Sequence, residues 1–182
     1  MSTVVLRSAV RADAEAIAAL HAASWQATYR GALRDDYLDG DILAERRATW
    51  NERFTTPAAN QHVVVAAEGD TVIGFACAFG VDDERFGTQL DNLHVRRGSQ
   101  SGGTGARLVA AVAKWCADTH PGTGLYLWVL EQNAGARRFY ARIGGTDAGS
   151  DIWVPPDGSQ VPTRRIVWTP VEVERLARTS VN

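Results

Sequence analysis

The stretch Gln100-Ser101-Gly102-Gly103-Thr104-Gly105 lies between two apolar runs, and its residue types let a backbone come close to an anion. Leu90 to Val95 before it reads as a strand. Ala106 to Thr119 after it has helical spacing, with Leu108, Val109, Val112, Trp115 and Cys116 on one face. A glycine-rich turn between a strand and a helix start lets several backbone N–H groups converge. Without Cβ atoms in the way, those donors and the positive end of the helix dipole can close on a phosphate or pyrophosphate. A mononucleotide loop needs a lysine after its last glycine; Gly98 and Gly103 have that spacing, but Thr104 follows. A dinucleotide fingerprint begun at Gly103 and Gly105 meets Leu108 where a third small residue belongs. A plain surface turn is the alternative that the loop alone leaves open.

The surroundings narrow the choice. Gln100-x-x-Gly103-x-Gly105, after Leu90-x-x-Leu93-x-Val95, resembles the acetyl-CoA-binding motif of the GNAT superfamily of N-acetyltransferases. Downstream, Asn133-x-x-Ala136-x-x-Phe139-Tyr140-x-x-x-Gly144 follows the strand Leu125 to Val129 and is similar to that superfamily's later motif. Ser24-Trp25-Gln26-Ala27-Thr28-Tyr29-Arg30-Gly31 resembles one subgroup of bacterial members.

The resemblance implies an acyltransferase with acetyl-CoA as co-substrate. It would move the acetyl group to the primary amine of a small molecule, a metabolite or antibiotic, by direct attack on the thioester. The alternatives are a protein N-terminal or lysine acetyltransferase and a non-catalytic acyl-CoA-binding module. Carried onto this chain, Gln100, Ser101, Gly102, Gly103, Thr104 and Gly105 would hold the CoA pyrophosphate, with Arg97 adding charge. The backbones of Leu93 and Val95 would pair with the pantetheine amides, and an N–H near Leu93 would polarise the thioester carbonyl. Asn133 would contact the cofactor arm, although an Asn after a strand is also an ordinary helix cap. Tyr140 would protonate the departing thiolate.

The base is less legible. At pH 7 only about one alkyl amine in 2,500 is neutral, roughly 4.6 kcal/mol that a base or water chain must help to overcome. Many members place a glutamate near the start of the strand before the loop; here Gln89 stands there and cannot accept a proton. Asp91 and His94 are the leading candidates, at the end of a water relay, with His21, Glu84 and Glu131 behind them. Two other departures are Gly145, where an aromatic is usual, and Arg97, where proline is common. Trp25, Tyr29 and Trp153, with Tyr37 and Trp50, are placed to enclose the acceptor, since ammonium groups favour ring faces.

The elements that must position these residues read in order. A strand at Thr3–Leu6 precedes a helix that begins near Ala12 and breaks at Gly31, and a second helix spans Leu38–Phe54. A hairpin pairs Val63–Ala67 with Val72–Phe79, and Gly80–Thr88 reads as a loop. After the strand, loop and helix already described come the strand Leu125–Val129, a helix over Ala134–Ile143 and a last hairpin, Thr146–Val154 with Arg164–Trp168. The tail from Val171 reads as a weak helix or disordered. The order β-α-α-β-β-β-α-β-α-β-β predicts an α/β (α+β) fold, a GNAT-like mixed, mostly antiparallel central sheet flanked by helices.

Composition sets the bounds. The 182 residues fit a single N-acetyltransferase domain over 1–182; 45% are hydrophobic and 22% charged, which permits a sizeable core. A net charge of −2 gives no reason to expect nucleic acid. Cys77 and Cys116 read as buried thiols, and no Cys/His spacing points to a metal. With no charged leader and no apolar run of membrane length, no membrane association is expected, and the location expected is cytoplasmic. The last hairpin carries Ile152, Trp153, Val154, Ile166, Val167 and Trp168, more apolar surface than it can cover alone, which predicts a homodimer.

Overall fold

The alternation in Val63–Ala67 and Val72–Phe79 forms the expected hairpin, turned at Gly69, whose φ of 59° a side chain would resist. A computed structural model describes residues 3–99 and 102–179, so Gln100 and Ser101 lie outside the described residues. The strands are β1 (Val4–Ser8), β2 (Gln61–Glu68), β3 (Thr71–Asp83), β4 (Gly87–Val95), β5 (Leu125–Leu130), β6 (Thr146–Trp153) and β7 (Val161–Trp168). The helices are α1 (Ala14–Thr28), α2 (Asp35–Leu38), α3 (Ile42–Thr55), α4 (Thr104–Thr119), α5 (Ala134–Arg142) and α6 (Pro170–Thr179). Among the described residues no helix is long and apolar enough to cross a membrane.

The strands form one sheet in the order β1-β2-β3-β4-β5-β7-β6, antiparallel throughout except where β4 meets β5. That junction is short. Only Thr88 with Leu125 and Gln89 with Tyr126 are in register, and beyond them the two strands part. One face carries α4, α5 and α6 over a core of Leu90, Leu108, Val112, Leu127, Ile166 and Trp168. The other carries α1 and α3, packed through Ile17, Ala18 and Trp50 onto Val63, Val65 and Phe75.

Register in β4 has a second irregularity. Ala78 pairs with Leu90 and Cys77 with Asn92, so Asp91 is an extra residue in the strand, a β-bulge. The bulge shifts the alternation: Leu90 and Leu93 both join the α4 core, while Asp91 and Asn92 both turn toward α3, where Arg53 meets them.

The structure corrects three expectations and decides a fourth, the tail, in favour of a helix. The expected loop over Gly80–Thr88 is largely strand, because Asp83 accepts hydrogen bonds from the Arg85 and Phe86 amides and closes a tight β3–β4 turn. The expected single helix over Leu38–Phe54 is broken at Asp39–Asp41 into α2 and α3. The tail forms α6, which buries Val173 and Leu176 against the α4 layer. Of the six apolar hairpin residues, Ile166 and Trp168 lie in the core, Trp153 and Val167 are half-buried, and only Ile152 (51% exposed) and Val154 (61%) face solvent.

Gly145 also finds its reason. Helix α5 ends in a left-handed Gly144, φ 88°, with the Gly144 amide bonded to Ala141 and the Gly145 amide to Tyr140. A Cβ at Gly145 would lie 2.6 Å from Ile166 and 2.7 Å from the Trp168 ring, whose indole N–H also bonds the Ile143 carbonyl. The aromatic volume comes from β7 instead.

Candidate active site

The parting of β4 and β5 opens a cleft of about 870 Å³ that runs through the sheet from one helical layer to the other. On the α4 side it is lined by Leu93, Val95, Arg97, Gly103 and Gly105 and by the α5 residues Ala136, Phe139 and Tyr140. On the α1 side it meets Ser24, Trp25, Tyr29, Asp91, His94 and Trp153. Most of the predicted residues thus converge on one cavity; Gln100 and Ser101 lie outside the described residues, and Gly102, Thr104, His21, Glu84, Glu131, Tyr37 and Trp50 lie off its walls.

The glycine loop has the geometry of an anion cradle. Gly103 caps α4 with φ 72°, no side chain caps that end, and a Cβ there would meet nothing within 4 Å. The Arg107 amide makes the first helical bond, to the Gly103 carbonyl, so the amides before it open the helix unpaired within the helix. Gly105 sits 3.4 Å (measured from an ideal Cβ) from the Phe139 ring, which draws the start of α4 against α5. The residues present therefore fit a pyrophosphate at this end. Arg97 and Arg142 border the cleft, whereas the Arg107 guanidinium turns away to the Val4 carbonyl.

Asn133 caps α5, its Oδ1 accepting from the Ala136 amide at 3.0 Å, while it also lines the cleft. Tyr140 is 8% exposed, packed edge-on against Phe139 and Trp168. Burial, with Tyr29 nearby, raises its phenol well above the ordinary value, so it carries its proton throughout the neutral range.

Across the gap, Trp25, Tyr29 and Trp153 form a mutual box, with ring centroids 4.9 to 5.7 Å apart. The Arg46 guanidinium lies 4.4 Å from the Trp25 ring centroid. Burial, together with the Asp91 charge, pushes the Tyr29 phenol up to about 12. Two other aromatics do not belong to this wall. Trp50 is fully buried beneath α3, where its long apolar body fills the core, and Tyr37 turns to donate to Glu45 at 2.7 Å.

The two candidate bases differ in their commitments. Asp91 accepts from Arg53 at 2.9 Å, and the same guanidinium holds Asn92 at 2.9 Å. His94 has its Nδ1 2.7 Å from the Ser24 hydroxyl, and burial pushes its pKa down to about 4. Behind it lies His21, ring centroids 4.9 Å apart. The Trp50 indole N–H, which can only donate, reaches His21 Nδ1 at 3.0 Å; neutral His21 therefore carries its proton on Nε2. Burial foremost, then the neighbouring His94, Arg46 and Arg53, hold His21 neutral with a pKa of about 2.

Sequence reasoning missed Arg53 and the Ser24 partnership. An arginine three residues after Trp50, on a helix face that is otherwise core, was the available signal for the first. The second joins residues 70 apart and had no local sign.

This fold and this cleft define an acyltransferase. The model of the acetyltransferase (GNAT) family matches residues 17–145, and the chain belongs to that family. Rv2775 of Mycobacterium tuberculosis, named a probable N-acetyltransferase, is 29% identical over 167 residues, covering 88% of this chain and 91% of its own. The fold is shared with PaiA N-acetyltransferase from Thermoplasma acidophilum, solved with coenzyme A, at TM-score 0.67 and 19% identity over 89% of this chain and 98% of that one. It is shared equally with YncA from Salmonella typhimurium, solved with acetyl-CoA, at TM-score 0.67 and 19% identity over 93% and 95%.

The two histidines give the protein an acid-sensitive stability. Each has a folded pKa below its ordinary 6.5, so the unfolded chain binds protons first. Their contribution is complete above about pH 6.5 and is lost as the pH falls toward about 4 for His94 and about 2 for His21. Urea unfolding followed from pH 7 to pH 5 should show falling stability, with a shallower slope in His94→Gln. Equal slopes in both proteins would contradict the half-buried, neutral His94.

Proposed function

We propose that the chain transfers the acetyl group of acetyl-CoA to the primary amine of a small molecule by direct attack on the thioester. The observation that carries this reading is the single cleft that joins the glycine-capped start of α4 to the box of Trp25, Tyr29 and Trp153. The pyrophosphate would meet the amides opening α4, and the pantetheine arm would lie in the gap beside Leu93 and Val95. The enclosed aromatic end favours a small amine over the runner-up acceptor, a protein N-terminus or lysine, which would need an open groove.

In this reading the amine nitrogen forms a bond to the acetyl carbon as the C–S bond breaks. The thiolate takes the Tyr140 proton, and the amine proton passes to His94, directly or through water. His94 is preferred to Asp91 because it is neutral at pH 7 and partnered only by Ser24, whereas Asp91 is bound to a guanidinium.

A thiol-release assay with acetyl-CoA and a panel of amines tests the reading; the absence of release with every amine would leave only a CoA-binding module. Tyr140→Phe should keep CoA affinity, since the ring still packs, and lower kcat about 10²-fold. Full turnover in that variant would make solvent the proton donor. Gly103→Val should add a strain of ~1–2 kcal/mol without a clash and weaken CoA binding at least tenfold by calorimetry, through the side chain set over the helix amides. Unchanged affinity would remove the loop from the site. The exposed β6 edge with Ile152 and Val154 supports a homodimer, and light scattering should give twice the 19.7 kDa chain mass at micromolar concentration. A mass of one chain would oppose it.

A further inference from the structure

On the α1 wall of the cleft the side chains of Ser24 and His94 meet at 2.7 Å, serine Oγ to imidazole Nδ1. Hydroxyls on helices commonly turn back on their own backbone. Thr49 and Thr119 do so here, each donating to the carbonyl four residues earlier. Ser24 makes no such bond, and among the described residues Nδ1 of His94 is the one acceptor that its hydroxyl meets. A hydroxyl with a single acceptor gives its hydrogen to it, so Ser24 donates. His94, neutral at pH 7, then carries its own proton on Nε2. His21 behind it has the same tautomer for the same reason, a donor (the Trp50 indole) on its Nδ1.

This tautomer decides which atom can receive a proton from the acceptor. Nε2 already holds one, and the lone pair on Nδ1 is covered by the serine hydroxyl. The serine oxygen keeps its own lone pairs, and Ser24 lines the cleft. Other polar side chains of the cleft are unsuited to the task. Gln89, Asn92 and Thr28 are not bases at neutral pH, Asp91 holds Arg53, and Asp151 is exposed on the edge strand β6.

We propose that Ser24 is a catalytic residue, the hydroxyl relay through which the acceptor amine passes its proton to Nδ1 of His94. The proposal rests on the acetyl-transfer reading above and narrows its proton route to one oxygen. Once the amine nitrogen has bonded to the acetyl carbon, its N–H bond breaks and the proton joins Ser24 Oγ. In the same step the original hydroxyl proton leaves Oγ for His94 Nδ1. Serine ends neutral, with no alkoxide formed, and the imidazole ends as an imidazolium. The electron pair of the C–S bond leaves with sulfur, which takes the Tyr140 proton. After product departs, the imidazolium returns its extra proton to water by the same path.

The test is a double-mutant cycle in kcat, with CoA affinity by calorimetry as the control on folding. Ser24→Ala puts the best helix former into α1, so it should bind CoA as wild type does while kcat falls about 10²-fold. His94→Gln should lower kcat by a similar factor. The double variant should be no worse than the more impaired single one, because a relay can be broken only once. Ser24→Thr, which retains a hydroxyl, should stay within about tenfold of wild type. Factors that multiply in the double variant would make the two residues independent and overturn the proposal. So would wild-type kcat in Ser24→Ala, or a Ser24→Thr no better than Ser24→Ala. Nitrogen NMR of the imidazoles reads the proton position without turnover: His94 should carry it on Nε2, and a proton on Nδ1 would overturn the relay. If wild type releases no thiol with any amine, the acetyl-transfer reading fails and the relay with it. Equal release by wild type and Ser24→Ala sinks the relay alone.

Discussion

Two residue pairs hold β4 to β5, and the rest of the molecule is arranged around the fact that there are only two. In the middle of a sheet, strands that separate leave backbone donors and acceptors without a ladder, a cost that a fold bears only if something else meets those groups. Here each strand keeps its other neighbour, β3 for β4 and β7 for β5, so the sheet stays whole while its centre opens. The start of α4 and the first turn of α5 then stand on one side of the opening and α1 on the other. In the proposed reaction, an extended ligand with amides of its own is the natural filling for such a gap.

Polar chemistry around the opening is sorted by what each group is already bound to. Arg53 neutralises Asp91 and braces Asn92, and its guanidinium also lies over Trp50, 5.0 Å from the ring centroid. Both histidines stay neutral because they are withdrawn from water, and His21 also because His94, Arg46 and Arg53 stand near it. Trp50 connects the two sets, since its indole supports Arg53 on its face and decides the tautomer of His21 from its edge. A core tryptophan thereby governs the proton positions next to the cleft.

Much of this was legible in the residues. Gly103 and Gly105, and Asn133, Ala136, Phe139 and Tyr140, come to the same cavity because each set depends on spacing around the start of one helix, and Trp25, Tyr29 and Trp153 join them from α1 and β6. Trp50 and Tyr37 were misplaced, since an aromatic's direction is set by tertiary packing that composition does not record. The β3–β4 turn was hidden by its polar residues, whose role is an Asp83 capping two amides. Helix α6 was underrated for a similar reason: its apolar residues are few, and Val173 and Leu176 count only once α4 is beside them. Arg53 went unread, despite its place three residues after Trp50, because its partners Asp91 and Asn92 lie on another element.

The bulge at Asp91 is the smallest of the features described, a single unpaired residue in β4. It behaves as a change of phase. Upstream of it the strand presents one set of side chains to α1 and α3, and downstream the assignment is reversed relative to simple alternation. Were the extra residue kept but drawn into regular pairing, every later residue would slip by one against β3, and His94 and Leu93 would trade sides of the sheet. The histidine would enter the apolar layer beneath α4, and a leucine would face Ser24. The bulge is therefore a chemical device: by absorbing one residue it keeps the imidazole of His94, and not the side chain of Leu93, on the α1 side of the cleft.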